Sequence, residues 1–362
     1  MKMKNLLTAG ALLLAGAISA GSASTQTFPD PKDEAKLYEL AKQEGTVVWY
    51  NGAPSAAMQN IANAFMEKYP GVTVEVIRLA NLQQYQRFTQ ESAAGQNVAD
   101  LVSLDFVSIG SLIKDGLLAE WTVPDADKLT PKARMGSSAY SLYYQDAAIL
   151  YNPNKLTPEE IEKLRGNWEA VLDPVFKGRI AVTDQRCATC YTLTHMFMDP
   201  KLKDRFGPEF IKALATQQPS VYSEINIAID RIVTGEKDLL ISVWENAASA
   251  KWEEGAPVQW THPSPSPLGL ITAWSAISAK APHPNAARLF QNWWVSEAGG
   301  TVAQQKFYGG PTTFPTAVDA RAVVKQPWYD PITERYEIDP ARWQTNFGQD
   351  MDFWINTLKG AK

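Results

Sequence analysis

The sequence predicts an α/β protein of two lobes, each a mostly parallel sheet flanked by helices, joined by two extended crossovers. Three observations carry this. Strand-like and helix-like patterns alternate along the chain. Its 362 residues exceed what one hydrophobic core usually organises. Two extended runs, Tyr140–Asn152 and Pro267–Lys280, stand between one alternation and the next. On this division lobe one takes residues 25–142 plus 268–310, and lobe two takes 143–267 plus 311–362.

The first stretch, residues 1–24, reads as a secretory signal peptide. Lys2 and Lys4 supply a positive start, Leu6–Ala20 is apolar, and small residues from Ser19 to Ser24 allow cleavage after Ala20 or Ala23. A retained N-terminal anchor is the alternative. Loss of the two lysines takes the formal charge from −5 to −7. A βαβαβ unit follows. Thr46–Asn51 is a buried strand, and Gly52–Ser55 breaks it. Met58, Ile61, Ala62, Phe65 and Met66 then form one apolar helix face. Val72, Val74 and Val76 alternate with polar residues as a second strand. Leu82, Tyr85 and Phe88 mark a second helix, and Ala99–Asp105 is a third strand running into Val107–Lys114.

Leu118–Ala139 is polar and irregular. A second alternation begins at Pro158, with a helix at Glu159–Arg165, a strand at Arg179–Thr183, and helices starting near Thr189 and Pro208. Ser223–Thr234 is a further helix, Asp238–Trp244 a strand, and His283–Ser296 an amphipathic helix. In such sheets ligands sit at the carboxyl ends of strands beside helix N-termini. Here that points to Tyr50–Ser55, Arg78–Asn81 and Asp105–Ser108.

Composition removes several function classes. A negative chain lacks the basic face that nucleic acid requires. Two cysteines cannot staple a scaffold, and three histidines leave little for a nitrogen-rich metal site. No G-x-S-x-G, H-E-x-x-H or P-loop pattern is present. His262 and His283 read as loop residues. Glu159–Glu160 and Glu253–Glu254 read as solvated surface pairs.

Several segments in order resemble the family 1 extracellular solute-binding proteins of ABC importers, in the branch with the ferric-ion-binding proteins. They are AFMEKYPGVTVEV (Ala64–Val76), SAAGQNVADLVSLD (Ser92–Asp105), IKDGLLAEW (Ile113–Trp121) and NWEAVLDPVFKGRIAVTDQR (Asn167–Arg186). EGAPVQW (Glu254–Trp260), APHPNAARLFQNWWVSEAGG (Ala281–Gly300) and YGGPTTFPT (Tyr308–Thr316) continue the series. The resemblance implies the two-lobed periplasmic binding protein fold, which closes on a small molecule and hands it to an inner-membrane permease. It implies a periplasmic protein, a monomer, with no catalysis and no cofactor. Ferric-binding members place adjacent tyrosines after the strand that corresponds to Asp238–Val243. Trp244–Glu245–Asn246 stands there instead, and the pair Tyr143–Tyr144 lies in the crossover, outside that motif.

Candidate ligand residues on lobe one are Tyr50, Asn51, Ser55, Arg78 and Asp105, at the carboxyl edge of the sheet. On lobe two they are Thr189, Cys190, Tyr191, Ser223, Trp244 and Glu245. Arg186–Tyr191 forms a strand-to-helix turn whose N–H groups suit an anion, with Thr189 adding a hydroxyl or merely capping the helix. Asp105 and Ser223 also read as caps. Trp244 offers a stacking surface and Glu245 a carboxylate, against the alternatives of a core tryptophan and a cap. Cys187 and Cys190 admit a local disulfide, a ligand contact, or redox or metal chemistry with His195. The expected ligand is a small organic anion, aromatic or phosphorus-containing. Uptake of ferric ion or another metal, and a secreted thiol–disulfide protein using Cys187/Cys190, are the competing readings.

Overall fold

The computed structural model describes residues 27–184, 191–267 and 274–360. Helix α1 (Glu34–Glu44) opens the first lobe, with the Asp33 carboxylate accepting the Lys36 N–H at its start. The βαβαβ pattern then appears as β1 (Thr46–Asn51), α2 (Ser55–Lys68), β2 (Thr73–Arg78), α3 (Asn81–Ala94) and β3 (Leu101–Leu104). Next come α4 (Phe106–Lys114) and the short strands β4 (Arg134–Met135) and β5 (Ala139–Ser141). Lobe two begins with β6 (Ala147–Tyr151), α5 (Pro158–Leu164), β7 (Ile180–Thr183), α6 (Thr192–Phe197) and α7 (Pro208–Thr216). It continues through β8 (Ser220–Tyr222), α8 (Ile225–Val233), β9 (Leu239–Trp244), α9 (Glu245–Glu253), β10 (Gln259–Thr261) and β11 (Ser266–Pro267). The chain returns to lobe one for β12 (Trp274–Ile277), α10 (Pro284–Trp294) and α11 (Val302–Phe307), and ends in lobe two with β13 (Arg335–Tyr336) and α12 (Pro340–Lys359).

The first sheet has the order β2-β1-β3-β12-β5-β4 and the second β10-β6-β9-β7-β8. β1, β2 and β3 are parallel, as are β7, β8 and β9. The strands that carry the chain between lobes, β12 and β6, run against their neighbours. The sheets are therefore mixed at the point where the lobes connect. Alternate residues of the central strands feed opposite cores: Val47 and Trp49 pack on one face of the first sheet, Val48 and Tyr50 on the other. In the second sheet Leu239 and Ile241 face one core, and Leu240 and Val243 face the other. That parity break is a bulge at Ser242, which takes φ 71° while the pairing with β6 shifts between Ala148 and Ile149.

Three features depart from the sequence reading. Helices α1 and α12 have no counterpart in it, although α12 buries Trp343, Met351, Trp354 and Leu358 in lobe two. Tyr140–Asn152 is two strands with a connector, not one extended run. The C-terminal part also crosses later than residue 310: Phe314 and Ala317 still pack in the first lobe, and Val323 is the next core residue of the second. Between them lies a third passage, beyond the two crossovers expected. Before it, the chain runs beside the first crossover, where Thr313 N–H donates to Leu142 O (3.0 Å) and Tyr144 N–H to Pro311 O (2.7 Å). Gly300, in the π-turn Glu297–Thr301 between α10 and α11, meets the Trp294 carbonyl so closely that a Cβ would lie 1.9 Å from its oxygen.

One polar assignment is also corrected. Glu160 is buried, not solvated; it takes the Arg179 guanidinium at 2.5 Å and completes a capping box with Thr157. His262 and His283 do lie in loops; His262, just after β10, is buried, and His283 holds the buried Asp100 through its backbone N–H (2.7 Å) and its ring (2.9 Å).

Candidate functional site

Strand register places the site. Trp274, the first residue of β12, pairs with Leu104 at the carboxyl end of β3 and with Ser141 at the end of β5. Both crossovers therefore leave lobe one at the carboxyl edge of its sheet. Ala147, the first residue of β6, pairs with Trp244 at the carboxyl end of β9, and the Ser266 hydroxyl donates to Ala147 O (2.9 Å). The same crossovers thus enter lobe two at its carboxyl edge. The two edges face one another across the connection.

On lobe one, Asn51 is buried and its side-chain oxygen accepts the Ala53 N–H (2.7 Å), shaping the turn into α2. Ser55 and Arg78 are exposed, and Arg78 Nε donates to Ala53 O (3.2 Å), so these two belong to one rim. Asp105 caps α4 by accepting from Val107 and Ser108 N–H and also takes the side chain of Asn81, which ties β3 to α3. Tyr50 does not join them. It is fully buried in the lobe-one core, with its hydroxyl on Glu91 (2.9 Å).

On lobe two, Ser223 is exposed two residues before α8, and Trp244 is 9% exposed at the end of β9. Tyr191 is a core residue packed on Trp343 and Phe347, its hydroxyl donating to Asp350 (2.5 Å). Arg186, Cys187, Thr189 and Cys190 lie outside the described residues.

Glu245 points inward. Its carboxylate is fully buried, 2.7 Å from Arg321 Nη1, 3.0 Å from the Tyr329 hydroxyl and 3.5 Å from His262 Nε2. Burial alone would push this carboxyl up. The charges of His262 and Arg321 outweigh it and hold the pKa at about 2. His262 Nδ1 lies 2.6 Å from Asp330 O, so that nitrogen carries a proton, and although burial lowers the ring's pKa, Glu245 raises it above its ordinary value. Glu245 is thus neutralised inside lobe two and offers no carboxylate to the cleft.

What the facing edges do offer is backbone. Helices α2, α3, α8 and α9 follow strand ends at these edges, and their N-cap positions, Pro54, Ala80, Glu224 and Trp244, make no side-chain cap. The fifth helix at these edges, α4, is capped by Asp105; elsewhere α1, α5 and α12 are capped by Asp33, Thr157 and Asp339, while α7 and α10 have no side-chain cap. An uncapped first turn leaves N–H donors and the positive end of the helix dipole unspent, except that in α9 the first N–H, of Glu245, already donates to Asp146 O. Among the described residues no three His, Cys, Asp or Glu side chains come together as a metal site.

Sequence reasoning missed Arg321, Arg335, Asp146 and Tyr329, which surround Glu245 and the first crossover. Arg335 grips Asp146 with two hydrogen bonds, 2.8 and 3.0 Å, and lies over the Tyr144 ring at 4.5 Å. These partners are up to 189 residues apart, and no local pattern announces them.

The family model for bacterial extracellular solute-binding proteins matches residues 46–309, and the chain belongs to that family. No curated protein matches at the sequence level. Iron-bound HitA from Pseudomonas aeruginosa is similar in structure, with a TM-score of 0.64 at 20% identity over 85% of this chain and 99% of that one. A periplasmic thiamin binding protein gives 0.65 at 19% identity, over 86% and 96%. AfuA from Actinobacillus pleuropneumoniae, with fructose-6-phosphate bound, gives 0.60 at 19%, over 87% and 99%. At these identities the likeness is one of fold. No helix of the described residues is long and apolar enough to cross a membrane.

Proposed function

We propose that the protein is the periplasmic receptor of an ABC importer and that it captures a small organic anion between its lobes for delivery to an inner-membrane permease. Family membership and the export-type first 24 residues support the receptor and its compartment. The single observation that carries the anion is the set of uncapped helix starts on both facing edges, with Arg78 on the lobe-one rim. Carboxylate or phosphoryl oxygens accept from such N–H groups at little reorganisation cost. The relatives' own cargoes, iron, thiamin and fructose-6-phosphate by their titles, differ widely, so the fold leaves cargo open. An aromatic cargo loses two of its three supports, because Tyr50 and Tyr191 are core side chains.

Each lobe holds half of the donors. An anion bound to one edge gains the other half only on closure, and closure is favoured by that difference in affinity. Thermal-shift screening against carboxylates, phosphate esters, phosphonates and Fe(III) tests the reading. A cargo at about 100 times its Kd adds about 2.7 kcal/mol of stability. A response confined to Fe(III) would refute the anion.

A further inference from the structure

The four stretches of chain that run to or along the lobe connection meet at one residue, Glu245, the first of α9. Its backbone N–H donates to Asp146 O (3.0 Å), at the end of the first crossover. Its carboxylate faces His262 at 3.5 Å, on the run leading to the second. Its other oxygen accepts from Arg321 Nη1, which also donates to Gly309 O (3.2 Å), on the stretch of chain that runs beside the first crossover. Arg321 itself follows the third passage and is gripped there by Asp319, with Nε 2.9 Å and Nη2 2.6 Å from its oxygens. Gly309 lies tight against α9, since a Cβ there would sit 3.2 Å from Ser249 Oγ. Arg321 is 3% exposed and Glu245 is fully buried.

We propose that Glu245 and Arg321 are positioning residues for lobe closure, fixing the first turn of α9, a cleft edge, to the connections about which the lobes move. A displacement of those connections is then a displacement of the cleft edge, and an anion drawing on the α9 N–H groups pulls on the connections. This goes beyond the cargo reading and holds whatever the cargo is. A buried ion cluster that merely stabilised lobe two would have no such coupling.

Small-angle scattering on the unliganded full chain, alongside urea unfolding, separates the two roles. Arg321→Gln and Glu245→Gln are compared with Arg179→Gln, which breaks a lobe-two ion pair with Glu160 and Asp238 away from the connections. Asp319→Asn is the milder variant, since its side chain is 35% exposed and Glu245 keeps Arg321. All four lower stability. Only those at Arg321, Glu245 and Asp319 shift the inter-lobe maximum of the pair-distance distribution. Profiles superimposable on the parent in every variant that folds, Asp319→Asn included, would overturn the proposal. So would an equal shift in Arg179→Gln.

Discussion

Glu245→Gln keeps the side-chain volume and removes the charge that Arg321 and His262 face. A carboxylate whose pKa falls from its ordinary 4.5 to about 2 on folding contributes about 3 kcal/mol at neutral pH. Breaking one partner of a buried ion cluster independently suggests about 3–5 kcal/mol. The sign follows from the depressed pKa. The contribution is complete above about pH 4.5 and is lost as pH falls through 2, because the unfolded chain takes up the proton first. Urea unfolding of parent and variant, followed by far-UV circular dichroism, gives the difference directly. A gap of about 3 kcal/mol is expected at pH 7, narrowing to about 2 kcal/mol at pH 3.5. A gap below about 1 kcal/mol at pH 7, or one that does not narrow with acid, would refute the assignment of a buried ionised Glu245.

Three other perturbations follow from the same geometry. Arg78→Ala is expected to weaken a cargo found by the thermal-shift screen about tenfold by calorimetry, the worth of one charge-assisted hydrogen bond. Its unliganded melting temperature stays put because Arg78 is exposed with one bond to Ala53 O; unchanged affinity removes Arg78 from the site. Gly300→Ala drives a methyl into the Trp294 carbonyl and is expected to cost about 3 kcal/mol or more, read as a lowered melting temperature; a parent-like melt would mean that the π-turn relaxes. Burial, helped by Arg342, lowers the His195 pKa to about 4, so the parent loses stability as pH falls from 6.5 towards 4. His195→Asn is expected to flatten that limb of the pH–stability curve, and an unaltered slope would count against a neutral buried imidazole.

Much of the fold was legible because its signals are local. The face of α2 follows from Met58, Ile61, Phe65, and the strand β2 from Val72, Val74, Val76, since side-chain period is set by backbone geometry alone. Helix α12 carries a signal of the same local kind, with Trp343, Met351, Trp354 and Leu358 at helical spacing, and it went unread. The place of Ser55, Arg78 and Asp105 at strand ends was legible. The inward turn of Glu245 was not.

By itself the sequence determined the α/β class, the strand ends that carry the cleft edges, and the family, through ordered segments such as Asn167–Arg186. Tertiary structure alone decided which of the candidate residues are buried in a core. Tyr50 and Tyr191 have the composition of binding residues and the burial of core, and Glu245 has a carboxylate already spent on Arg321, 76 residues later. The reason is that direction and pairing depend on neighbours distant in sequence. The bulge at Ser242 changes the face onto which β9 ends, and the charge on Glu245 is sustained only by groups that folding delivers.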